Sequence, residues 1–388
     1  MNVVAVAPRS IAPLRAEWRP LAAFGAIAAE WQELAAHALE PNIFYEPAFA
    51  VPAASVFGPN VGAGLVWSRT NRLLGLFPGC IEHRCGVPLL AGWTHPYGPL
   101  GTPLVDCREA EPVIAAWLDH VADADELPGL MMLPLVPEDG RFASALAAVL
   151  ARRGSPCATF GRHRRALAAP GTHAEHGDDR AAYIERALGA KKRKELRRQR
   201  HRLADLGARA VEGATRAPVV GEALRDFLDL EARGWKGRAG TAAAQNESIR
   251  QFIESAICDL AHQGKVRIDR LCISGRAIAA AVTLLSDERA WTWKIAYDES
   301  FARFSPGVQL MIDVTAAVLA DRSIAEIDSC ATADHPMIDH LWRERLPLCD
   351  HLIGLRGAPL AFALVRRIEG LRRTTIEAAK TVRDQLRR

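Results

Sequence analysis

The stretch between Val266 and Gly307 constrains the fold of this 388-residue chain more than any other part of the sequence. Its apolar runs and turn residues predict three strands, at 267–273, 277–285 and 290–297. The middle strand is apolar almost throughout, which predicts that both of its faces are buried. An apolar helix at 308–320 follows a short Pro-Gly loop. The sequence therefore predicts an antiparallel meander that leads through a loop into a helix.

Motif residues follow one another along this stretch in a fixed order. The third predicted strand and the turn after it read W-x-W-K-x-x-Y-D-E from Trp291 to Glu299, and Ser-Pro-Gly precedes the helix. This arrangement resembles the GNAT superfamily of acyl-CoA-dependent N-acyltransferases. It is similar more narrowly to the CelD-like and BioF2-like branch, which is related to FemAB-type aminoacyltransferases of peptidoglycan. The resemblance extends upstream to Trp235 and downstream to Trp342, over roughly residues 181–355.

The resemblance implies an α/β protein built from tandem GNAT-like folds with mixed, largely antiparallel sheets. A chain of 388 residues also exceeds one ordinary domain. The composition shifts to Arg, His, Gly and Pro around 162–177, and we expect the domain boundary there. The predicted units are a degenerate N-terminal GNAT-like domain at 1–165, a C-terminal acyltransferase domain at 178–356 and a basic amphipathic helix at 357–388.

The loop before the central helix is the predicted binding site for the donor. Backbone N–H groups at a helix N-terminus lack partners and favour anions such as a pyrophosphate. By resemblance, the donor is acetyl-CoA or another acyl-CoA, used as a co-substrate. The residues expected to hold it are Ser305, Pro306, Gly307, Val308 and Gln309. The loop lacks the final small residue of the usual coenzyme A motif, and the alternative is a Pro-Gly turn that only begins a helix.

Aromatic and cationic residues near the meander are the predicted acceptor site. They are Trp235, Lys236, Trp293, Lys294 and Tyr297. Simple alternation along a strand would place the side chains of Trp293 and Lys294 on opposite faces. The alternative for either tryptophan is core packing.

The predicted catalytic residues are Asp328, His335 and Asp298. N-acyl transfer requires a deprotonated amine, and a histidine or carboxylate beside a dry cleft can remove the proton. Asp328 ends a predicted strand, and His335 begins a helix predicted at 333–345. Asp298 would orient the amine, or it would simply cap a turn.

Cysteine usage and hydropathy suggest a cytoplasmic protein. The N-terminal sequence lacks a signal-peptide pattern, and no run of eighteen apolar residues occurs. The eight cysteines include no C-x-x-C pair, which argues against a zinc site or a disulfide framework. We therefore expect no metal, and we expect Cys258 and Cys272 to be buried thiols.

Two basic segments concentrate the net positive charge. Residues 183–207, which include one amphipathic helix predicted at 183–206, hold nine Lys/Arg against three acidic residues, and residues 358–388 hold eight against three. Three interpretations of the first segment stay open: a solvated helix face, a contact for an acidic partner (coenzyme phosphates, a nucleotide-linked sugar or an anionic inner leaflet), or a tRNA site. The absence of interleaved aromatic residues argues against nucleic acid other than tRNA. The tail helix packs on the body, forms a homodimer, or lies on a membrane.

The sequence therefore predicts an acyl-CoA-dependent N-acyltransferase that is cytoplasmic or peripheral to the inner membrane. By resemblance, the small-molecule acceptor is an amine of a sugar, lipid or cell-envelope polysaccharide precursor, and the acyl group is acetyl or longer. Two alternatives remain. One is a FemAB-like transferase that uses aminoacyl-tRNA. The other is a non-catalytic, membrane-associated protein of a polysaccharide system.

Overall fold

One mixed sheet runs through the part of the chain that the computed structural model describes, which is residues 14–172, 180, 182–356 and 359–386. Its strands are β1 (Arg15–Pro20), β2 (Gly62–Trp67), β3 (Leu73–Arg84), β4 (Val87–Gly92), β5 (Leu104–Val105), β6 (Leu130–Pro137), β7 (Cys157–Ala168), β8 (Arg209–Ala214), β9 (Val266–Ile273), β10 (Arg276–Ser286), β11 (Arg289–Tyr297), β12 (Glu326–Asp328) and β13 (Glu344–Gly354). Across the sheet they follow the order β1-β2-β3-β4-β6-β13-β7-β12-β11-β10-β9-β8, and β5 pairs with β3 outside this path.

Helices cover both faces of the sheet. They are α1 (Ala28–Ala36), α2 (Pro47–Phe57), α3 (Ala110–Asp123), α4 (Arg141–Arg153), α5 (Tyr183–Ala187), α6 (Ala190–Ala204), α7 (Ala217–Arg233), α8 (Trp235–Arg238), α9 (Glu247–His262), α10 (Pro306–Leu319) and α11 (Pro359–Leu386). Among the described residues, none of these helices is both long enough and apolar enough to cross a bilayer.

The topology of the second half repeats that of the first. In each half, four antiparallel strands are followed by a helix that crosses over to a parallel strand: β1–β4, α3 and β6 in the first, and β8–β11, α10 and β12 in the second. Parallel neighbours require such a crossover, whereas the antiparallel strands need only short turns. The predicted α/β fold with tandem GNAT-like units and a mixed, largely antiparallel sheet is confirmed.

The two halves exchange strands at the centre of the sheet. Strand β7, from the end of the first half, pairs on one side with β12 and on the other with β13, and both neighbours come from the second half. Strand β13 in turn pairs with β6 of the first half. The halves are therefore interleaved through backbone hydrogen bonds as well as side-chain packing.

The cores differ between the two faces. On one face, α7 and α9 of the second half pack with α2 of the first, and the shared core includes Phe49, Phe252 and Trp293. On the other face, α10 covers the second half with Leu310 and Val314, while α3 and α4 cover the first. Helix α11 lies over β7 and β13. Apolar residues on α2 and α9 thus join the halves on the first face.

Three local expectations are wrong. The segment 333–345 is not a helix: it contains turns and a short 3-10 helix at Ile338–His340, and β13 begins at Glu344. Pro336 lacks an N–H, and Asp334 has a φ of 58°, so neither suits a continuous helix. The helix predicted over 183–206 breaks into α5 and α6, because Leu188 and Gly189 have extended backbone conformations. Cys272 is buried as expected, but Cys258 lies on the exposed side of α9.

Candidate functional site

A cavity opens where two strands of the second half separate. Strands β11 and β12 pair only from Arg289 to Trp291, opposite Glu326 to Asp328. Beyond this point they diverge around a cavity of about 600 Å³. The edge of β11 over 292–297 therefore has no strand neighbour on that side, and its backbone donors and acceptors face the cavity.

A β-bulge in β11 reorients the side chains at this opening. Val282 pairs with Lys294 and Thr283 with Thr292, so Trp293 is an extra residue in β11. As a result, Trp293 and Lys294 share the face that carries α7, and the Lys294 Nζ atom lies 5.6 Å from the Trp293 ring centroid. The expectation that they face opposite sides is wrong, because it assumed a regular strand.

The N-terminus of α10 forms the wall on the other face. Ser305, Pro306, Gly307 and Val308 all line the cavity. Ser305 has a φ of 51°, a left-handed conformation that turns the chain sharply into the helix. Gln309 lies behind this wall and donates a 2.8 Å hydrogen bond to the carbonyl oxygen of Phe304. The first turn of α10 therefore presents free N–H groups close to the open edge of β11.

Gly307 is the point of closest approach between α10 and the strand. A Cβ atom built on Gly307 would lie 3.4 Å from Tyr297 and 3.6 Å from both Ile295 and the Met337 Sδ atom. A methyl group would thus meet ordinary contacts, whereas a longer side chain has to enter the cavity.

The α7 side of the cavity carries a paired charge. The Lys236 Nζ atom lies 2.5 Å from one Glu231 oxygen, and the other Glu231 oxygen accepts a 2.8 Å hydrogen bond from the Ala243 N–H. Trp235 is 59% exposed at the cavity mouth, and its backbone N–H donates to Glu299 at 2.7 Å. This wall therefore combines an ion pair of zero net charge with an exposed indole ring.

Lys294 brings a second positive charge to the same wall. Its Nζ atom lies over the ring of Tyr97, 3.8 Å from the centroid, which is a cation–π contact with the first half of the chain. Burial, followed by the charge of Lys236, lowers the pKa of Lys294 to about 8, while Glu231 acts in the opposite direction. Across the described ranges, no carboxylate forms an ion pair with Lys294.

Only one of the three predicted catalytic residues lines the cavity. His335 does so, and its Nδ1 atom accepts a 3.4 Å hydrogen bond from the Met337 N–H. Asp298 caps the 3-10 helix Glu299–Phe304 by accepting from Ser300, and it pairs with Arg276 at 2.6 Å. Burial would raise the pKa of Asp298, but these hydrogen bonds and the Arg276 charge outweigh burial and lower it.

Asp328 lies behind the cavity in a buried ion pair with Arg165 of β7. Its Oδ1 atom accepts a 3.0 Å hydrogen bond from the Cys330 N–H, and Arg165 also donates to the Pro99 carbonyl oxygen at 2.7 Å. Asp328 therefore positions the segment 329–331, which does line the cavity, and connects it to the exchanged strand.

Sequence reasoning missed two contributions to this site. Cys330 lines the cavity with a φ of 52°, and burial raises the pKa of its thiol well above the ordinary value. The first half contributes Tyr97, whose carbonyl oxygen accepts a 2.7 Å hydrogen bond from the Trp293 indole, and His95 nearby. Burial, then the Lys294 charge, lowers the pKa of His95 to about 4. The only sequence signal was the density of Pro and Gly that follows His95.

Among the described residues, no group of three or more His, Cys, Asp or Glu side chains is arranged to hold a metal ion. The groups that line the cavity are instead a helix N-terminus, an open strand edge and lysine side chains. These groups suit an anionic donor and a polar acceptor. Such a combination is compatible with a transferase.

Comparison with known proteins identifies the fold. Residues 190–335 match the family model described as acetyltransferase (GNAT) domain. The structure is similar to that of FemX, with 10% identity and a TM-score of 0.57 over 87% of this chain and 98% of FemX. It is also similar to a conserved protein of unknown function from Bacteroides thetaiotaomicron VPI-5482, with 11% identity and a TM-score of 0.53 over 84% and 97% of the two chains. No curated protein sequence matches.

The second half of the chain therefore matches a GNAT acetyltransferase domain over residues 190–335, and the fold of the whole chain is similar to that of FemX. The cavity lies inside the matched segment, except for the residues contributed after His335.

Proposed function

We propose that the protein transfers an acyl group from a coenzyme A thioester to an amine. The observation that carries this proposal is the opening between β11 and β12, which has different walls on the two faces of the sheet. The α10 face offers N–H groups for a pyrophosphate, and the free edge of β11 offers backbone partners for the amide groups of the donor. The α7 face offers indole rings and lysines to an acceptor.

In this mechanism the amine nitrogen attacks the thioester carbonyl carbon. The new C–N bond forms a tetrahedral oxyanion, which backbone N–H groups of the bulged segment 293–296 would stabilise. Collapse of this intermediate breaks the C–S bond and releases coenzyme A, while the amine loses a proton. We assign proton removal to His335, because it lines the cavity, and we assign positioning roles to Asp298 and Asp328.

The proposed acceptor is an amine of a sugar, lipid or envelope precursor. Trp235 supports a sugar or lipid partner because its indole ring is largely exposed at the cavity mouth. An indole combines a broad apolar surface with one polar N–H, and therefore suits an amphipathic acceptor.

An aminoacyl-tRNA donor is the second candidate, and α6 is the observation that favours it. This helix is fixed to α10 through Arg200, which lies 2.7 Å from Asp313, and it packs against the 3-10 helix beside the cavity. Its solvent-facing cations, for which the described residues provide no ion-pair partner, are Lys191, Lys194, Arg197, Arg198 and Arg202. A phosphate-rich donor would bind such a surface in a salt-dependent manner.

A thermal-shift titration with acetyl-CoA, longer acyl-CoAs and free coenzyme A tests the proposal. Specific binding raises the melting temperature by mass action. We expect a saturable rise for the wild type, a similar rise for Gly307→Ala and none for Gly307→Leu, whose side chain would fill the space beside Tyr297. Gly221→Leu is the matched control, because a Cβ atom at this exposed helical glycine meets no atom within 4 Å. The absence of any rise with every acyl-CoA would contradict the proposal.

A further inference from the structure

We infer that Lys294 binds an anionic group of the acceptor, so that the acceptor is an amine that also carries a carboxylate or a phosphate. This inference rests on the proposed acyl transfer and specifies its substrate class. The observation behind it is the charge on the α7 wall of the cavity.

The two lysines on this wall differ in their partners. The charge of Lys236 is matched by Glu231 at 2.5 Å. Lys294 has no such partner in the described part of the chain, and its Nζ atom lies over the aromatic rings of Tyr97 and Trp293. A half-buried charge that is not paired carries a desolvation cost, and a cation–π contact offsets only part of that cost. The wall therefore carries one positive charge that a ligand can neutralise.

The donor is not the source of that neutralising charge. The phosphates of a coenzyme A donor belong at the N-terminus of α10, beside Gly307 and Tyr297, on the opposite face of the sheet. Lys294 lies three residues before Tyr297, about 10 Å away along the strand. Because of the bulge at Trp293, the Lys294 side chain points to the α7 face. An anion that reaches Lys294 must therefore enter with the acceptor.

The charge of Lys294 also suits the chemistry of an amine. A nearby cation disfavours a protonated amine, so a simple ammonium ion would be repelled from this wall. An acceptor with an anionic group neutralises Lys294 while its amine remains deprotonated for attack. A carboxylate and a phosphate would both neutralise Lys294. Matched substrate pairs, one for each anionic group, show which of the two is bound.

The test compares charged and neutral members of two substrate pairs: glycine with glycinamide, and glucosamine 6-phosphate with glucosamine. Release of coenzyme A is measured with the acyl-CoA that gives the largest thermal shift. We expect kcat/KM of the wild type to favour the charged member of at least one pair by about tenfold or more. Lys294→Met removes this preference, and Lys294→Glu reverses it. The control Arg69→Met, at an exposed cation in the turn between β2 and β3 for which the described residues provide no ion-pair partner, leaves it unchanged.

Two results with these amines would overturn the inference. One is a wild type that shows no preference for the charged members or prefers the neutral ones. The other is an equal loss of rate for both members in Lys294→Met, which would place Lys294 at the reacting atoms instead. If none of the four amines is acylated, the fallback measurement is the thermal shift with N-acetylglycine and with N-acetylglycinamide, each in the presence of free coenzyme A. We expect the larger shift with N-acetylglycine, which carries the carboxylate. Equal shifts for the two amides in the wild type overturn the inference.

The failure of this inference is distinguishable from failure of the proposed function. Lys294→Met leaves the α10 wall intact, so its thermal shift with acyl-CoA should equal that of the wild type. A wild type that responds to acyl-CoA but shows no preference for charged acceptors refutes only the inference. A wild type that shows no response to any acyl-CoA refutes the proposed function.

Discussion

At the scale of single residues, Lys294 makes the reaction sensitive to pH in a defined direction. Its pKa is lowered to about 8, so the side chain loses its charge as the pH rises through that value. The groups that face it are Lys236, Glu231, Cys330 and His95, and its ring contacts are Tyr97 and Trp293. An anion held by Lys294 should therefore bind more weakly above pH 8.

The measurement is the ratio of kcat/KM for the charged and neutral members of a substrate pair between pH 7 and 9.5. The pair used is glucosamine 6-phosphate and glucosamine, because their amines titrate in the same range and the ratio removes this common contribution; the amine of glycine is much more basic than that of glycinamide. We expect the ratio to fall as the pH rises through about 8 and to be independent of pH in Lys294→Met. A ratio that stays constant in the wild type would contradict the assignment.

Asp328 should be needed for stability because its carboxylate compensates a buried guanidinium. The substitution Asp328→Asn removes the carboxylate charge and leaves Arg165 buried without a counter-charge. Breaking such a pair costs about 3–5 kcal/mol of the free energy of unfolding. Urea denaturation measures this loss, and Glu254→Gln is the control, because its pair with Arg250 is exposed and should contribute much less. Equal small effects would show that the Arg165 pair is not structurally important.

The sequence revealed the types of residue in the site better than their roles. The Ser-Pro-Gly loop with Val308, the W-x-W-K-x-x-Y pattern and the upstream pair Trp235 and Lys236 predicted nine residues that do line the cavity, among them Gly307 and Lys294. The face on which Lys294 lies depends on a bulge that strand alternation cannot show. The partner of Asp328 is Arg165, which is far away in the sequence and comes close only through strand exchange.

At the scale of elements, the strength of the local pattern decided what could be predicted. The meander β9–β11 and helix α10 carry long apolar runs bounded by turn residues, and the structure has them close to the predicted limits. The segment 333–345 has a mixed composition, and only tertiary context makes its end part of a central strand. Strong periodicity can be read from a short stretch of sequence. The pairing of β13 cannot, because its partners β6 and β7 are distant in the sequence.

Helix α6 should be dispensable for binding a coenzyme A donor. Replacing its five unpaired cations by glutamine should leave the fold unchanged, because Arg200 still anchors the helix to Asp313 and the replaced side chains face solvent. We expect the thermal shift with acyl-CoA to be retained in this variant.

The same variant tests the alternative donor. Filter binding of total tRNA at 50 and 200 mM salt should show weak binding for the wild type if coenzyme A is the donor. Tight binding by the wild type that falls steeply with salt and is lost in the variant would favour an aminoacyl-tRNA donor instead.

At the scale of the whole molecule, the central sheet makes the two halves depend on each other. The boundary expected near 165–178 follows the sequence composition and lies at the end of β7, yet every strand that pairs with β7 comes from after residue 325. No sequence repeat marks the two halves, although their topology repeats. Strand exchange is invisible in sequence order because pairing partners are determined by the tertiary fold.

This arrangement predicts that the full chain unfolds as one cooperative unit. Urea denaturation followed by far-ultraviolet circular dichroism and by tryptophan fluorescence should give coincident transitions, since tryptophans lie in both halves. Leu146→Ala in α4 and Leu310→Ala in α10 each remove a buried side chain and should cost about 2–5 kcal/mol. Because β7 and β13 couple the halves, either substitution should move the whole transition to lower urea concentration, as monitored by both probes. Two separate transitions, with each substitution moving only one of them, would show instead that the halves are stable independently and that the exchanged strands contribute little to their coupling.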